Sequence, residues 1–366
     1  MANRYWVGGA GAVWNTTAGT KWATTSGGAS GASVPTAADD VFFDANSLSN
    51  ATSAGSIVCR SLNFTGYIKQ FTFGNGVSLT IGDATAGASN VALKFASGMT
   101  VINSGATITL ASTNGTQQTI TSAGKTSPPL TINGAGSSYV LADVLSTSTF
   151  TLTSGAFDTG NYNMSLSSGL SSTGNATRTL TLGTSTVTIG VGSATPWTLS
   201  GTNLTTSLAS STISLTSGTI STFSGDGRTY GNLVISFYDQ LSFDWALALT
   251  GANTFSSITA TEFSTGSGLP TLVLPASTVT TVTGTFSMTG LSSGLIGLWS
   301  SSSGVRATLK CNSASKFLHD WINVKDIAFT GEAKQFATNS TDGGNNDNIR
   351  FNAVMPATQS LLGCGI

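Results

Sequence analysis

The chain has 366 residues, enough for a large core, and only 8% of them are charged, against roughly 25% in ordinary soluble domains. A formal net charge of −1, with only Arg178 and Arg228 as basic residues between Lys125 and Arg306, argues against nucleic acid, whose phosphates are neutralised by clustered cations. A hydrophobic content of 39% excludes a solvated coil despite the abundance of Ser, Thr and Gly.

Residues 1–50 form a distinct opening segment that holds Trp6, Trp14 and Trp22, separated by Gly-rich turns. Large aromatics suit the closing of an apolar end of a repeat protein; a carbohydrate-stacking platform is the rival role. Asp39, Asp40 and Asp44 around Val41-Phe42-Phe43 suit a charged guard on a turn and strand edge better than a cation site. The start, MANRYWVGGAGAVW, has no basic stretch followed by a long apolar core, so no secretory signal is expected. No run of about twenty apolar residues predicts a membrane span. Outside character without an export signal fits a virion component released by lysis, or non-classical secretion.

From Ser56 to Phe329 one unit recurs: a short strand in two-residue alternation, then a turn of Gly, Asn or Ser. Ile57-Val58-Cys59, Leu79-Thr80-Ile81, Ile108-Thr109-Leu110 and Leu130-Thr131-Ile132 are early copies, and Thr149-Phe150-Thr151-Leu152 and Thr179-Leu180-Thr181-Leu182 are later ones. Asn-Gly turns such as Asn133-Gly134 also suit hairpins. The persistence of similar units without any helical pattern favours stacked coils, each burying its apolar face against the next. Cys59 falls in an alternating strand as a small core residue; with Cys311 and Cys364 it makes an odd count without metal-ligand spacing.

The opening, with Trp6, Trp14, Lys21-Trp22, Val34-Pro35-Thr36 and Asp40-Val41-Phe42-Phe43-Asp44, resembles that of a family of β-helical proteins encoded by bacteriophages and common in viral metagenomes. It is also similar to the start of some autotransporter passenger repeats. Gly155-Ala156-Phe157-Asp158-Thr159-Gly160-Asn161-Tyr162, Thr177–Gly183 with Ser185-Thr186-Val187, Ser211-Thr212-Ile213 and Gly251-Ala252-Asn253-Thr254-Phe255 look like successive rungs of the phage family in the same order. Arg228–Ile235 fits its rung in which an aromatic precedes a buried Leu.

After that rung come Phe237, Tyr238, Phe243 and Trp245 beside Asp239 and Asp244. Core stacking is the simplest role for these aromatics. The sharper alternative is a lateral carbohydrate- or receptor-binding patch of Tyr238, Asp239, Asp244 and Trp245.

Charges return between Arg306 and Lys334. Asp320–Asp326 resembles the family's terminal rung, and Asn339–Asn346 matches its NSTDGGNN signature. The aromatic pair that follows in the family is replaced by Asp347-Asn348-Ile349-Arg350-Phe351. Asp342, Asn345 and Asp347 offer oxygen ligands for Ca²⁺, but the spacing is not that of an EF-hand and an Asx-rich turn is the simpler reading. The tail, 352–366, is nearly uncharged and suits docking on another virion protein or a sister subunit, or packing back on the last rung.

Catalytic chemistry is thin. Glu262 and Glu332 are the two glutamates, His319 is the sole histidine, and neither a G-x-S-x-G elbow nor a Walker loop stands in context. Asp226, Asp239 and Asp244 are close enough in sequence for neighbouring coils to align them, which keeps a glycosidase in view.

The expected architecture is all-β: a right-handed parallel β-helix, or β-solenoid, with a Trp-rich N-terminal cap (1–50), a body (51–330) and a C-terminal cap and tail (331–366). A β-rich trimeric fibre or stacked β-sandwiches are the alternatives. The expected function is a structural phage virion protein, a head or tail appendage aiding host attachment and residing in the extracellular particle. Its partners would be other virion proteins, host surface polysaccharide and two further copies in a homotrimer, with no nucleic acid, no membrane insertion and no enzymatic activity. A bacterial surface adhesin and a polysaccharide depolymerase are the rivals.

Overall fold

The computed structural model describes residues 2–17, 20–84, 90–190, 193–217, 220–237, 246–263, 268–313 and 316–352. Every regular element among them is a β-strand. Thirty-three strands join one hydrogen-bonded sheet and four a second. The pairing is mostly parallel, compatible with a β-solenoid and unlike the antiparallel sheets of a stacked sandwich. No helix is long and apolar enough to cross a membrane.

The pairings resolve into three ladders that the chain visits in turn. Ladder I opens at Ser56–Cys59 and continues through Ser78–Ile81 and Thr107–Leu110. Ladder II runs through Asp40–Phe42, Ser61–Asn63 and Val91–Lys94. Ladder III begins with Val13–Trp14 and continues through Ala51–Ser53, Gln70–Phe73 and Thr100–Asn103. Some strands bend from one ladder into the next. Leu145–Asp158, 14 residues long, contributes to all three, its three stretches pairing separately with neighbouring coils.

Alternation sends one face of each ladder inward, and the register stacks like on like. In ladder I, Ile57, Leu79, Ile108, Leu130, Phe150, Leu170, Trp197, Phe223 and Leu249 form one column. Each is no more than 2% exposed. Burying a side chain of this size contributes about 1.5–3 kcal/mol, so the column and its counterparts carry the cohesion of the stack. Leu145, Met164, Val187, Ile213, Leu233, Ile258 and Phe286 do the same for ladder III.

The outward face of ladder I explains the low charge. Thr80, Thr109, Thr131, Thr151, Ser171, Thr198, Ser224 and Thr250 are partners in register. β-branched hydroxyl residues suit a pleated, half-buried surface, and paired Thr and Ser hydroxyls stabilise it without charge.

At the N-terminal end the parallel pattern changes. Tyr5 and Trp6 pair antiparallel with Ala23 and Trp22, while Asn3, Arg4 and Tyr5 pair parallel with Asp40, Val41 and Phe42. Trp6, Trp14 and Trp22 are each 1% exposed. Trp6 meets Trp22 edge-on at 5.0 Å and stacks on Phe43 at 5.3 Å; Phe43 stacks in turn on Phe64 at 5.0 Å.

Candidate functional site

The chain's ionisable groups are mostly occupied in holding turns. Asp39 accepts from the backbone N–H of Ala2 and from the N–H and hydroxyl of Thr36. Burial pushes its carboxyl up, but the Thr36 donors and the Arg4 guanidinium outweigh that and hold it below 3.8. Asp40 is paired with Arg60 and accepts from the Ser61 hydroxyl at 2.5 Å. Asp44 accepts from the N–H of Asn46 at 2.9 Å, an Asx turn. These carboxylates are thus turn and edge groups, as the simpler sequence reading has it.

Arg178, one of the two basic residues of the long stretch between Lys125 and Arg306, is structural. It is wholly buried and is in no ion pair among the described residues. Its guanidinium donates to the Ser172 hydroxyl and to the carbonyls of Gly174, Ala176, Ser200 and Thr202. Five fixed donors match that cluster of carbonyls at a corner between coils.

His319, 1% exposed, sits in the core of ladder III. Its Nδ1 accepts from the N–H of Met288 at 3.3 Å, so the neutral ring's proton lies on Nε2, which donates to Gln335 Oε1 at 3.0 Å. Both nitrogens are engaged, and the ring has no outlet for general-base work. Cys59 and Cys311 are buried free thiols. Burial, then the Asp40 carboxylate, raises the Cys59 pKa, and burial pushes Cys311 to about 12. Neither is a reactive thiolate.

Tyr238, Asp239, Asp244 and Trp245 lie outside the described residues, as do Phe243 and the tail from residue 353, Cys364 included. Their flanks are placed: buried Phe237 ends a ladder III strand and Ala246 opens one of ladder I. The three N-terminal tryptophans do not present free ring faces, since each is buried among the others and Phe43. A sugar platform there is not what the packing offers.

The NSTDGGNN segment is a dense net of side-chain-to-backbone bonds. Asn339 donates to Asp320 Oδ1 at 2.9 Å, and the Ser340 hydroxyl accepts from the N–H of Ile322 at 3.0 Å. Asp342 Oδ1 accepts from the N–H of Gly344 and from the Asn346 amide. Asn345 donates to Asp326 Oδ1 and accepts from Arg306 Nε through both its carbonyls. Asp347 joins through its backbone, its N–H bonded to Ile327 O and its carbonyl to the Phe329 N–H. Of the proposed calcium ligands, one carboxylate oxygen of Asp342 and the amide oxygen of Asn345 are therefore engaged by the protein. No group of three or more His, Cys, Asp or Glu among the described residues is arranged to hold a metal ion.

Beside this net is a depression that sequence reading did not single out. It encloses about 680 Å³ at the corner between ladders II and III, lined by Thr330, Lys334, Phe336, Asn348 and Arg350 among others. Register brings two of the lining residues together: Phe336 pairs with Arg350, and on its other side with Leu318, which lies outside the lining, all on the outward side of ladder III. Lys316 pairs with Lys334 in the adjoining outward column. None of these three cations is in an ion pair among the described residues.

The chain matches no known protein-family model, no curated protein and no solved structure. The site must be read from its own geometry.

Proposed function

We propose that this protein is a structural virion component, a head or tail appendage of a bacteriophage that holds an attachment surface away from the particle. In this reading the coils wind as a right-handed parallel β-helix. The Trp6–Trp14–Trp22 cluster closes one end, and the NSTDGGNN net closes the other. The single observation that carries it is the unbroken inward column from Ile57 to Leu249, with its neighbours on the other ladders. Such a stack is a stiff rod, and each added coil lengthens it without a new fold.

The sparse charge and hydroxyl-lined faces support a mechanical role over a chemical one. The viral assignment itself rests on the resemblance of the rungs and of the C-terminal signature to the phage family. Other virion proteins, and sister copies in a trimer, are the partners this reading implies.

Mass spectrometry of purified, nuclease-treated particles tests it. The expected result is this chain at the stoichiometry of a structural protein. Recovery on bacterial surfaces in cultures free of phage, with none in particles, would overturn it in favour of an adhesin.

A further inference from the structure

The geometry points to the depression at the corner of ladders II and III as a binding site for an acidic polysaccharide, one bearing carboxylates on its sugar rings. The inference rests on the attachment reading above and names the ligand class for it.

Three observations converge. First, Leu318 is 51% exposed and Phe336 is partly buried, and they stand in register on parallel strands, about 4.8 Å apart. An aromatic face beside an aliphatic one suits the C–H face of a sugar ring. Second, Arg350 is the next member of that same column, directly in register with Phe336, and it is exposed. Its planar fork suits a ring carboxylate, which it can engage bidentately. Third, Lys316 and Lys334 form the adjoining column, and both are exposed. Asn348 and Thr330 line the same depression and supply neutral partners for sugar hydroxyls.

Two of the surrounding acids are engaged by neighbouring groups. Asp320, at the far end of the outward face, is held by the Thr338 hydroxyl and the Asn339 amide. Asp342 is engaged by Asn346 and Gly344. Glu332 and Asp347 are exposed beside the depression and set a limit on how many anionic groups fit. Nucleic acid is the poorer match, because a phosphate backbone calls for more cations than this patch and a chain of net charge −1 provide.

Affinity electrophoresis of the full chain through gels containing polygalacturonate, with neutral dextran as the control, tests the site. Retardation by polygalacturonate alone, weakened by added salt, is expected. The exposed double variant Lys334→Gln/Arg350→Gln should lose at least tenfold in affinity while keeping its melting temperature. Phe336→Ser should lose affinity with the cations intact, which separates a sugar site from bare ion exchange. Should the double variant fail to fold, Lys316→Gln alone serves, with a smaller expected loss.

Equal retardation by dextran, unchanged affinity in the variants, or tighter binding of double-stranded DNA than of polygalacturonate would overturn the assignment. Binding by a chain absent from particles would leave this site standing and remove the virion reading. A chain present in particles without binding would do the reverse.

Discussion

His319 and Gln335, on consecutive strands of ladder III, are joined by a 3.0 Å hydrogen bond in the core, with the Met288 N–H bonded to the other ring nitrogen. Protonation would turn that nitrogen into a donor facing a donor, in a site closed to water. Burial, opposed only by the Gln335 bond, lowers the pKa from 6.5 to about 4.

The sign of the pH effect follows. The unfolded chain takes up the proton first, so the full contribution of neutral His319 is present above 6.5 and is lost as pH falls toward about 4. The loss should amount to about 3 kcal/mol by the bottom of that window. Asp39 and Asp326 are held below 3.8 and lose their contributions only at lower pH. Denaturant unfolding across the window should show the decline in the wild type and a much flatter profile in His319→Gln, whose amide retains an acceptor. Parallel profiles would contradict the assignment.

Arg178 ties together a corner by donating from one nitrogen to the carbonyls of Gly174, Ser200 and Thr202. Arg178→Met should cost about 1–2 kcal/mol, because it removes the bonds to the buried Ser172 hydroxyl and to four carbonyls at the surface of the corner, and Arg178→Lys should restore less than half of that. Urea midpoints for the two variants are the check. A midpoint unchanged in Arg178→Met would mean that the corner is held by the backbone alone.

Gly155 lies at a bend of the strand Leu145–Asp158, with φ +87°, and a Cβ there would stand 2.2 Å from the carbonyl oxygen of Gly134 on the coil before. Gly155→Ala should therefore destabilise by roughly 3 kcal/mol, part from backbone strain and part from the forced separation of coils. Limited proteolysis should then cut near this bend, whereas Gly136→Ala, with φ +79° but nothing within 4 Å, should show the smaller backbone cost alone.

The strands were legible in the sequence because alternation such as Thr149-Phe150-Thr151-Leu152 needs only neighbours to be read. Their partners were not. Period two fixes which face Phe150 uses, but its pairing with Leu130 and Leu170 depends on the lengths of the intervening turns. That is also why the corner depression escaped notice: Phe336 and Arg350, with Leu318 beside them, are brought together only by register. The Asx-turn reading of Asn339–Asn346 was available from residue type, since short amide and carboxylate side chains reach nearby backbone. The reach of Asn345 to Asp326 and Arg306 was not. Asn345 also adopts φ 56°, a conformation that Asn tolerates better than most residues.

That network supplies a test of the calcium question. Asn345→Ala should cost about 1–2 kcal/mol through lost hydrogen bonds, whether or not chelator is present. The wild-type melting temperature should not move on adding EDTA or calcium. A calcium-dependent rise that Asn345→Ala abolishes would instead make Asp342, Asn345 and Asp347 ligands.

The most direct test of the whole account is a cryo-electron microscopy map of the intact particle at a resolution that separates strands. The account predicts a three-sided rod projecting from the particle, with coils spaced about 4.8 Å along its axis and the Lys334–Phe336–Arg350 corner open to solvent. Density for a packed sandwich, or a particle in which this chain has no place, would contradict it.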